Sequence, residues 1–255
     1  MTTPDIPGEA QRTDEWQIDE AGLAYHLGQW ISPKRSTLAF EQFARHKLHD
    51  TRLAVDLGCG AGAATAYLAR EFGATRWLGI DYSQELVTLA NERAAQSGMK
   101  NISFEQGDWF NLADRDGVDG VISLQTLSWL PEFERPLAAI FDHCRPSWIA
   151  MSSLFYDGEI SCRIEVTEHV PAKSCFYNVY SLQAMDRFCR QHGYRLTANQ
   201  AFHIDMDLDK PQSRDVLGTY TVRTLAPDGQ PAHRLQISGP LLMNWHFVMI
   251  ERAIP

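Results

Sequence analysis

Apolar positions come in two rhythms along the first 155 residues of this chain. "TRLAVDLG" (51–58), "TRWLGID" (75–81), "NISFEQGD" (101–108) and "GVDGVISLQ" (117–125) are short runs of strand length, alternating or continuously apolar, and a fifth lies near 148–154. Between them, apolar groups recur at helical spacing. "AATAYLAREFG" is a helix with Gly73 as its predicted stop, and "SQELVTLANERAAQSG" has Ser83 as N-cap and Gly98 as terminator. A third helix is predicted over 132–144. Upstream, "SPKRSTLAFEQFARHKLH" opens with Ser32 as N-cap and Pro33 as first helical residue. Leu38, Phe40, Phe43, Ala44 and Leu48 put apolar groups on one side of it. Residues 13–30 read as helical but interrupted by Gly22 and Gly28, and the residues before them as a loose polar tail. Strand and helix in regular alternation predict an α/β fold with a parallel, doubly wound sheet.

The rhythm changes after Phe155. Residues 156–180 are irregular or partly extended. "LQAMDRFCRQHG" is a helix capped by Ser181 and ending at Gly193. Extended runs then close the chain: "RLTANQAFHIDMDL", "GTYTVRT", "HRLQISG" and "NWHFVMIER". "LAPDGQPA" between the middle two carries Asp228-Gly229 and two prolines, the chemistry of a hairpin loop. There is no internal repeat and no linker. The reading is a single domain over 51–255, an N-terminal tail and helices over 1–50 that cap its site, and substrate-side insertions near 155–180 and 218–238.

Composition narrows the function. The 255 residues carry a formal net charge of −9, which argues against bulk nucleic acid as the main partner, since such binding rests on clustered Lys and Arg. Five cysteines without a C-x-x-C pair read as reduced thiols, with no metal site. The first residues lack the pattern of a secretory signal, and no window has the roughly 18 apolar residues of a membrane span. A cytoplasmic protein without a membrane partner is expected. Oligomeric state is not encoded in any feature of the sequence.

The candidate chemistry starts at "VDLGCGAGAATAYLA" (55–69). Gly58, Gly60 and Gly62 lie in a strand-to-helix turn, where absent side chains let a ligand approach the backbone. Dinucleotide loops have G-x-G-x-x-G; here the third glycine is one position early and Ala63 fills the expected slot. Asp56 at the strand end would repel a pyrophosphate and suit a cationic amine. Asp81 ends the second strand, 19 residues beyond Gly62, a spacing at which an acid bonds ribose hydroxyls. Asp108 ends the third, with Trp109 beside it: an acceptor for an adenine amino group next to a ring that can cover the base. This acidic rim suits a positively charged adenosine rather than two phosphates.

Taken in order, "VDLGCGAG", "GIDYS", "QGD" and "VDGVISLQTLSWL" resemble the motifs of class I S-adenosylmethionine-dependent methyltransferases, over about residues 50–155. The resemblance implies a Rossmann-like sheet, mostly parallel, with an antiparallel C-terminal strand, for which "NWHFVMIER" is the candidate, plus the β-hairpin elaboration. It implies S-adenosylmethionine as cofactor and S-adenosylhomocysteine as product. By the same resemblance Asp56, Gly58 and Gly60 hold the methionine part, Asp81 the ribose, Tyr82 packs near the adenine, Asp108 and Trp109 hold the adenine, and Leu124 and Gln125 line the methionine portion. Trp109 as plain core and Gln125 as a solvated loop residue are the competing readings.

Methyl transfer needs a general base only where the acceptor must lose a proton. No residue stands out for that role; His169 in "TEHV" is the one candidate, against a solvated or structural histidine. "SLQT" replaces the Asn/Asp-Pro-Pro-aromatic motif of amine-directed nucleic-acid enzymes, and there is no Pro-Cys pair. A small-molecule acceptor methylated on O or N follows: a metabolite, sugar or natural-product intermediate. Tyr25 and Trp30 in "AYHLGQW" are candidates to cap the cofactor or line the pocket, core packing being the alternative. The rival readings are a protein or RNA methyltransferase, an NAD-dependent reductase, and a non-catalytic cofactor-binding subunit.

Overall fold

The computed structural model describes residues 20–169, 172–212, 218–239 and 241–253, apart from the side chains of residues 20–23, 25, 168, 172 and 173. Two helices, α1 (Glu20–Ile31) and α2 (Arg35–Leu48), lead into the alternating part. That part runs β1 (Leu53–Leu57), α3 (Ala63–Glu71), β2 (Arg76–Asp81), α4 (Gln84–Gln96), β3 (Ile102–Gln106), β4 (Gly120–Leu124), α5 (Glu134–Ala139) and β5 (Trp148–Ser153). Single turns of 3-10 helix, Trp109–Asn111 and Leu127–Trp129, follow β3 and β4. Then come β6 (Phe155–Tyr156), the hairpin β7 (Glu165–His169) and β8 (Ala172–Phe176), β9 (Tyr180–Ser181), α6 (Leu182–Gln191) and β10 (Tyr194–Phe202). The chain closes with β11 (Thr219–Leu225), β12 (Pro231–Ser238), β13 (Leu241–Leu242) and β14 (Trp245–Arg252).

Seven strands form the central sheet in the order β10-β14-β5-β4-β1-β2-β3. The five from the alternating part are parallel. β14, the predicted antiparallel strand, runs against both β5 and β10. The chain leaves β1 for β2 and β3 and then returns to β4 on the other side of β1. Strand order therefore reverses between β1 and β4, the place where doubly wound sheets open a crevice beyond the carboxyl ends of their strands. β11 and β12 pair as the predicted hairpin around Asp228-Gly229, with β13 added.

Strand alternation divides the core. Val55 and Leu57 of β1, Ile80, Val121, Ile149 and Met151 face α5 and α6, where Leu137, Ile140, Leu182 and Met185 complete a buried cluster. Ala54, Trp77, Ile122 and Ala150 face the other way, onto Phe40, Ala44 and Leu48 of α2 and Leu68 of α3. Both sheet faces are covered, which is why the strands read as almost continuously apolar. Ser83 caps α4 by accepting from the Leu86 amide at 3.3 Å, and Ser181 caps α6 by accepting from Ala184 at 3.1 Å. Gly98 and Gly193 follow these helices with left-handed φ, as expected of C-terminal stops.

Local reading fails where tertiary contacts decide. α1 runs unbroken through Gly22 and Gly28, because the helix is held from outside by the turn after β1 (below). The Ser32 amide donates to the Gly28 carbonyl, so Ser32 belongs to the end of α1 and cannot cap α2. α2 starts at Arg35, after Pro33 has turned the chain. α3 ends at Glu71 with the buried Phe72 as its C-cap, so Gly73 follows the helix as predicted but without a left-handed φ. The helix predicted over 132–144 is α5 followed by a wide turn of π-helix, Ile140–Cys144. Leu38, placed on the apolar side of α2, is 38% exposed. The cysteines in the described residues are all free, and no helix there is long and apolar enough to cross a membrane.

Gly62 illustrates how tightly the β1–α3 turn is packed. It caps α3 with φ 78°, and a Cβ there would collide with the ring of Phe104 on β3 and come within 3.0 Å of the Ala90 Cβ on α4. Its need for glycine is thus internal packing, not ligand approach. Gly62→Ala is expected to cost about 2 kcal/mol or more, from left-handed strain and overpacking together. Urea unfolding measures this; a loss below about 0.5 kcal/mol would mean that the ring has room to move.

Candidate functional site

A cavity of about 620 Å³ opens beyond the carboxyl ends of β1, β2, β3 and β4. That is within the roughly 300–1,000 Å³ of small-molecule sites. Gly58, Gly60, Asp81, Tyr82, Asp108, Trp109, Leu124 and Gln125 all line it. Residues from the ends of four strands, spread over nearly seventy positions of sequence, are thus brought to one wall.

The wall is fixed by bonds from side chain to backbone. Asp81 Oδ2 accepts from the Gly60 amide at 2.7 Å, and its Oδ1 accepts from the Ser83 amide at 3.0 Å. The end of β2 therefore clamps the turn after β1. Burial raises the Asp81 carboxyl above its ordinary range, while the amides of Ser83, Gly60 and Tyr82 pull the other way. Asp108 accepts from the Phe110 amide at 2.9 Å and from Asn111 Nδ2 at 2.8 Å, which shapes the turn that carries Trp109. Trp109 is both wall and core: it is 7% exposed, and its Nε1 donates to the Pro136 carbonyl at 3.0 Å.

Across the reversal point, Ser123 Oγ donates to the Leu57 carbonyl at 2.7 Å and Thr126 Oγ1 to the Gly58 carbonyl at 3.3 Å. A Cβ at Gly58, whose φ is 72°, would run into the Thr126 side chain. Between these bonds Gln125 takes φ 61°, a left-handed backbone that a non-glycine residue adopts at a cost of about 1–2 kcal/mol. Its amide is anchored on the Ser152 carbonyl at 2.8 Å. Such strain gathers at functional sites.

Asp56 lies behind this wall. It shares the face of Ala54, two residues earlier on β1, and so points toward α3. It is 1% exposed; Oδ2 accepts from Thr65 Oγ1 at 2.6 Å, and Oδ1 is buried without a partner among the described residues. Burial pushes its carboxyl up to about 7, the Thr65 bond opposing and Asp81 adding to the rise. Cys59, between the glycines, is driven well above the ordinary thiol range by burial and by Asp81 and Asp56, which makes it a poor nucleophile.

The N-terminal helices close the cavity in a way the sequence reading did not resolve. Trp30 is not on the wall: its Nε1 donates to the Ala61 carbonyl at 2.7 Å and the Arg70 guanidinium lies 5.8 Å from its ring centroid, so it anchors α1 to the glycine turn. His26, one helical turn earlier on the same face, does line the cavity, and a Cβ on Gly60 would lie 3.3 Å from its Cε1. Burial and the charge of Lys34 lower the His26 pKa, which keeps it neutral at pH 7. The i, i+4 spacing of His26 and Trp30 was the available signal. The Tyr25 side chain is outside the described residues. His169, the candidate base, is exposed at the end of β7 and does not reach the cavity. Further wall comes from Lys34, Arg35, Trp129, Tyr177, Phe202, Ile204, Leu208 and Trp245, mostly in segments with no motif to mark them.

A carboxyl whose folded pKa exceeds its unfolded one takes up a proton on folding. For Asp56, with values of about 7 against 3.8, stability is lost as pH rises between them, at no more than about 1.4 kcal/mol per pH unit. Asp56→Asn, which still accepts from Thr65, is expected to gain stability relative to the parent between pH 5 and pH 8. Urea midpoints at both pH values measure it; a difference that stays constant would place the Asp56 pKa near its ordinary value.

Residues 54–147 match a family model described as a methyltransferase domain. Over 95 residues the chain is 38% identical to a trans-aconitate 2-methyltransferase of Deinococcus radiodurans, covering 37% of this chain and 34% of that protein. Over 122 residues it is 35% identical to a trans-aconitate 2-methyltransferase of Mycobacterium tuberculosis, covering 48% and 44%. The matches thus span less than half the length of these relatives. A solved S-adenosylmethionine-dependent methyltransferase from Aquifex aeolicus shares the fold with a TM-score of 0.56 at 15% identity, over 93% of this chain and 100% of that one. With the sheet order and the glycine turn, these matches show a methyltransferase domain over residues 54–147, built on the fold that S-adenosylmethionine-dependent methyltransferases share.

Proposed function

We propose that this chain transfers the methyl group of S-adenosylmethionine to an oxygen or nitrogen of a small molecule. The observation that carries the proposal is the composition of the strand-end wall: two left-handed glycines, Asp81 and Asp108 on one cavity. Carboxylates only accept, and the two oxygens of Asp81 offer about four lone-pair sites against the amides of Gly60, Ser83 and Tyr82, which leaves room for a ribose hydroxyl. Asp108, at the far end of the same wall beside Trp109 and Phe110, suits an adenine amino group. Gly58 and Gly60 offer bare backbone to the amino-acid end, with His26 over Gly60. Asp56 acts from behind, holding the start of α3 through Thr65.

When bound, the cofactor supplies an electrophilic methyl group on a sulfonium. The residues of this chain bind, align and exclude water; negative charge near the site suits a cationic ligand and disfavours pyrophosphate. The names of the curated relatives support a small-molecule acceptor.

Isothermal titration with S-adenosylhomocysteine is expected to show binding, and with NADH none. Asp81→Asn should weaken S-adenosylhomocysteine at least tenfold, about 1.4 kcal/mol, with the far-ultraviolet circular dichroism unchanged. NADH binding without a response to S-adenosylhomocysteine would overturn the reading in favour of a reductase.

A further inference from the structure

We propose that the methyl acceptor is a flat, largely apolar molecule. The proposal rests on the methyltransferase reading and names the substrate class of the same site. The wall not taken by the strand-end motifs is built of aromatic and aliphatic groups. Trp129 and Tyr177 meet edge to face, ring centroids 5.1 Å apart at 79°, and Tyr177 meets Trp245 at 6.1 Å and 68°. Tyr177 and Trp245 are each 4% exposed and packed in one buried cluster with Leu154 and Val179, so these rings stand rigidly. Phe202, Ile204 and Leu208 extend the apolar surface. Rigid rings of this kind favour a planar partner, through area and through edge-to-face contact.

Cationic charge on the wall is sparse among the described residues. Lys34 and Arg35 are the Lys and Arg residues on the wall among the described residues. Arg35 is already engaged by Asp205, Nη1 to Oδ1 at 2.5 Å, with side chains 57% and 76% exposed, so that pair sits at the mouth. Each carboxylate carried inward needs a cation or several donors to replace its water. Among the described residues the wall offers a polycarboxylate Lys34 and the already engaged Arg35 as its Lys and Arg cations.

The test titrates protein saturated with S-adenosylhomocysteine against two probes, 2-naphthoate and trans-aconitate. The expected result is 2-naphthoate binding at least tenfold more tightly than trans-aconitate. Trp129→Ala, which removes one ring of the aromatic wall, should weaken 2-naphthoate at least threefold and leave S-adenosylhomocysteine unchanged. Trans-aconitate binding as tightly as 2-naphthoate, or 2-naphthoate failing to bind the saturated protein, would overturn the proposal. Failure of S-adenosylhomocysteine itself to bind would instead remove the methyltransferase reading on which it rests.

Discussion

One carboxylate organises the site. Asp81, at the tip of β2, accepts the Gly60 amide and so pins the turn after β1 to its neighbouring strand. The β1–α3 turn and what docks on it take their position from that clamp. The left-handed glycines hold their shape, α3 starts where Gly62 lets it, and α1 docks by Trp30 onto the Ala61 carbonyl of the same turn. Asp81 is held above its usual range by the burial that makes the clamp strong. The same oxygens that fix the backbone face the cavity, so a group that orders the protein is also placed to meet a ligand.

Two walls with different logic share the cavity. The strand-end wall is polar, acidic and built from consecutive elements of the sheet. The other wall is aromatic and assembled from the turn after β4, the strands after β5, the segment beyond β10 and the start of β14. The first is tied by hydrogen bonds to backbone, which specify position. The second is held by packing, which specifies shape. A wall of that second kind tolerates exchange of side chains more readily than the first.

The alternating part of the fold was legible because its strands are buried on both faces and its helices on one, so burial wrote itself into the periodicity. The acids at strand ends were legible for the same reason: Asp81 and Asp108 interrupt apolar runs where a strand stops. Asp56 was legible as a residue but not as a position, since its direction depends on strand parity and it turns toward Thr65. Local signals misled where distant contacts overrule them, as in α1, whose glycines are carried by docking, and α2, whose start waits for α1 to end. The aromatic wall was illegible: Trp129, Tyr177 and Trp245 meet only after the chain has folded, and no spacing in the sequence announces it.

The position of β14 has a consequence for how the protein comes into being. The last strand does not lie at an edge; it inserts between β5 and β10 and pairs with both. Until residues up to Arg252 have left the ribosome, β5 shows an open flank and β10 has no place to attach. The first five strands and their glycine turn can assemble during synthesis, whereas the aromatic wall, which includes Trp245, closes only at the end. An unfinished chain would therefore own the beginnings of the strand-end wall well before the aromatic wall stood opposite it.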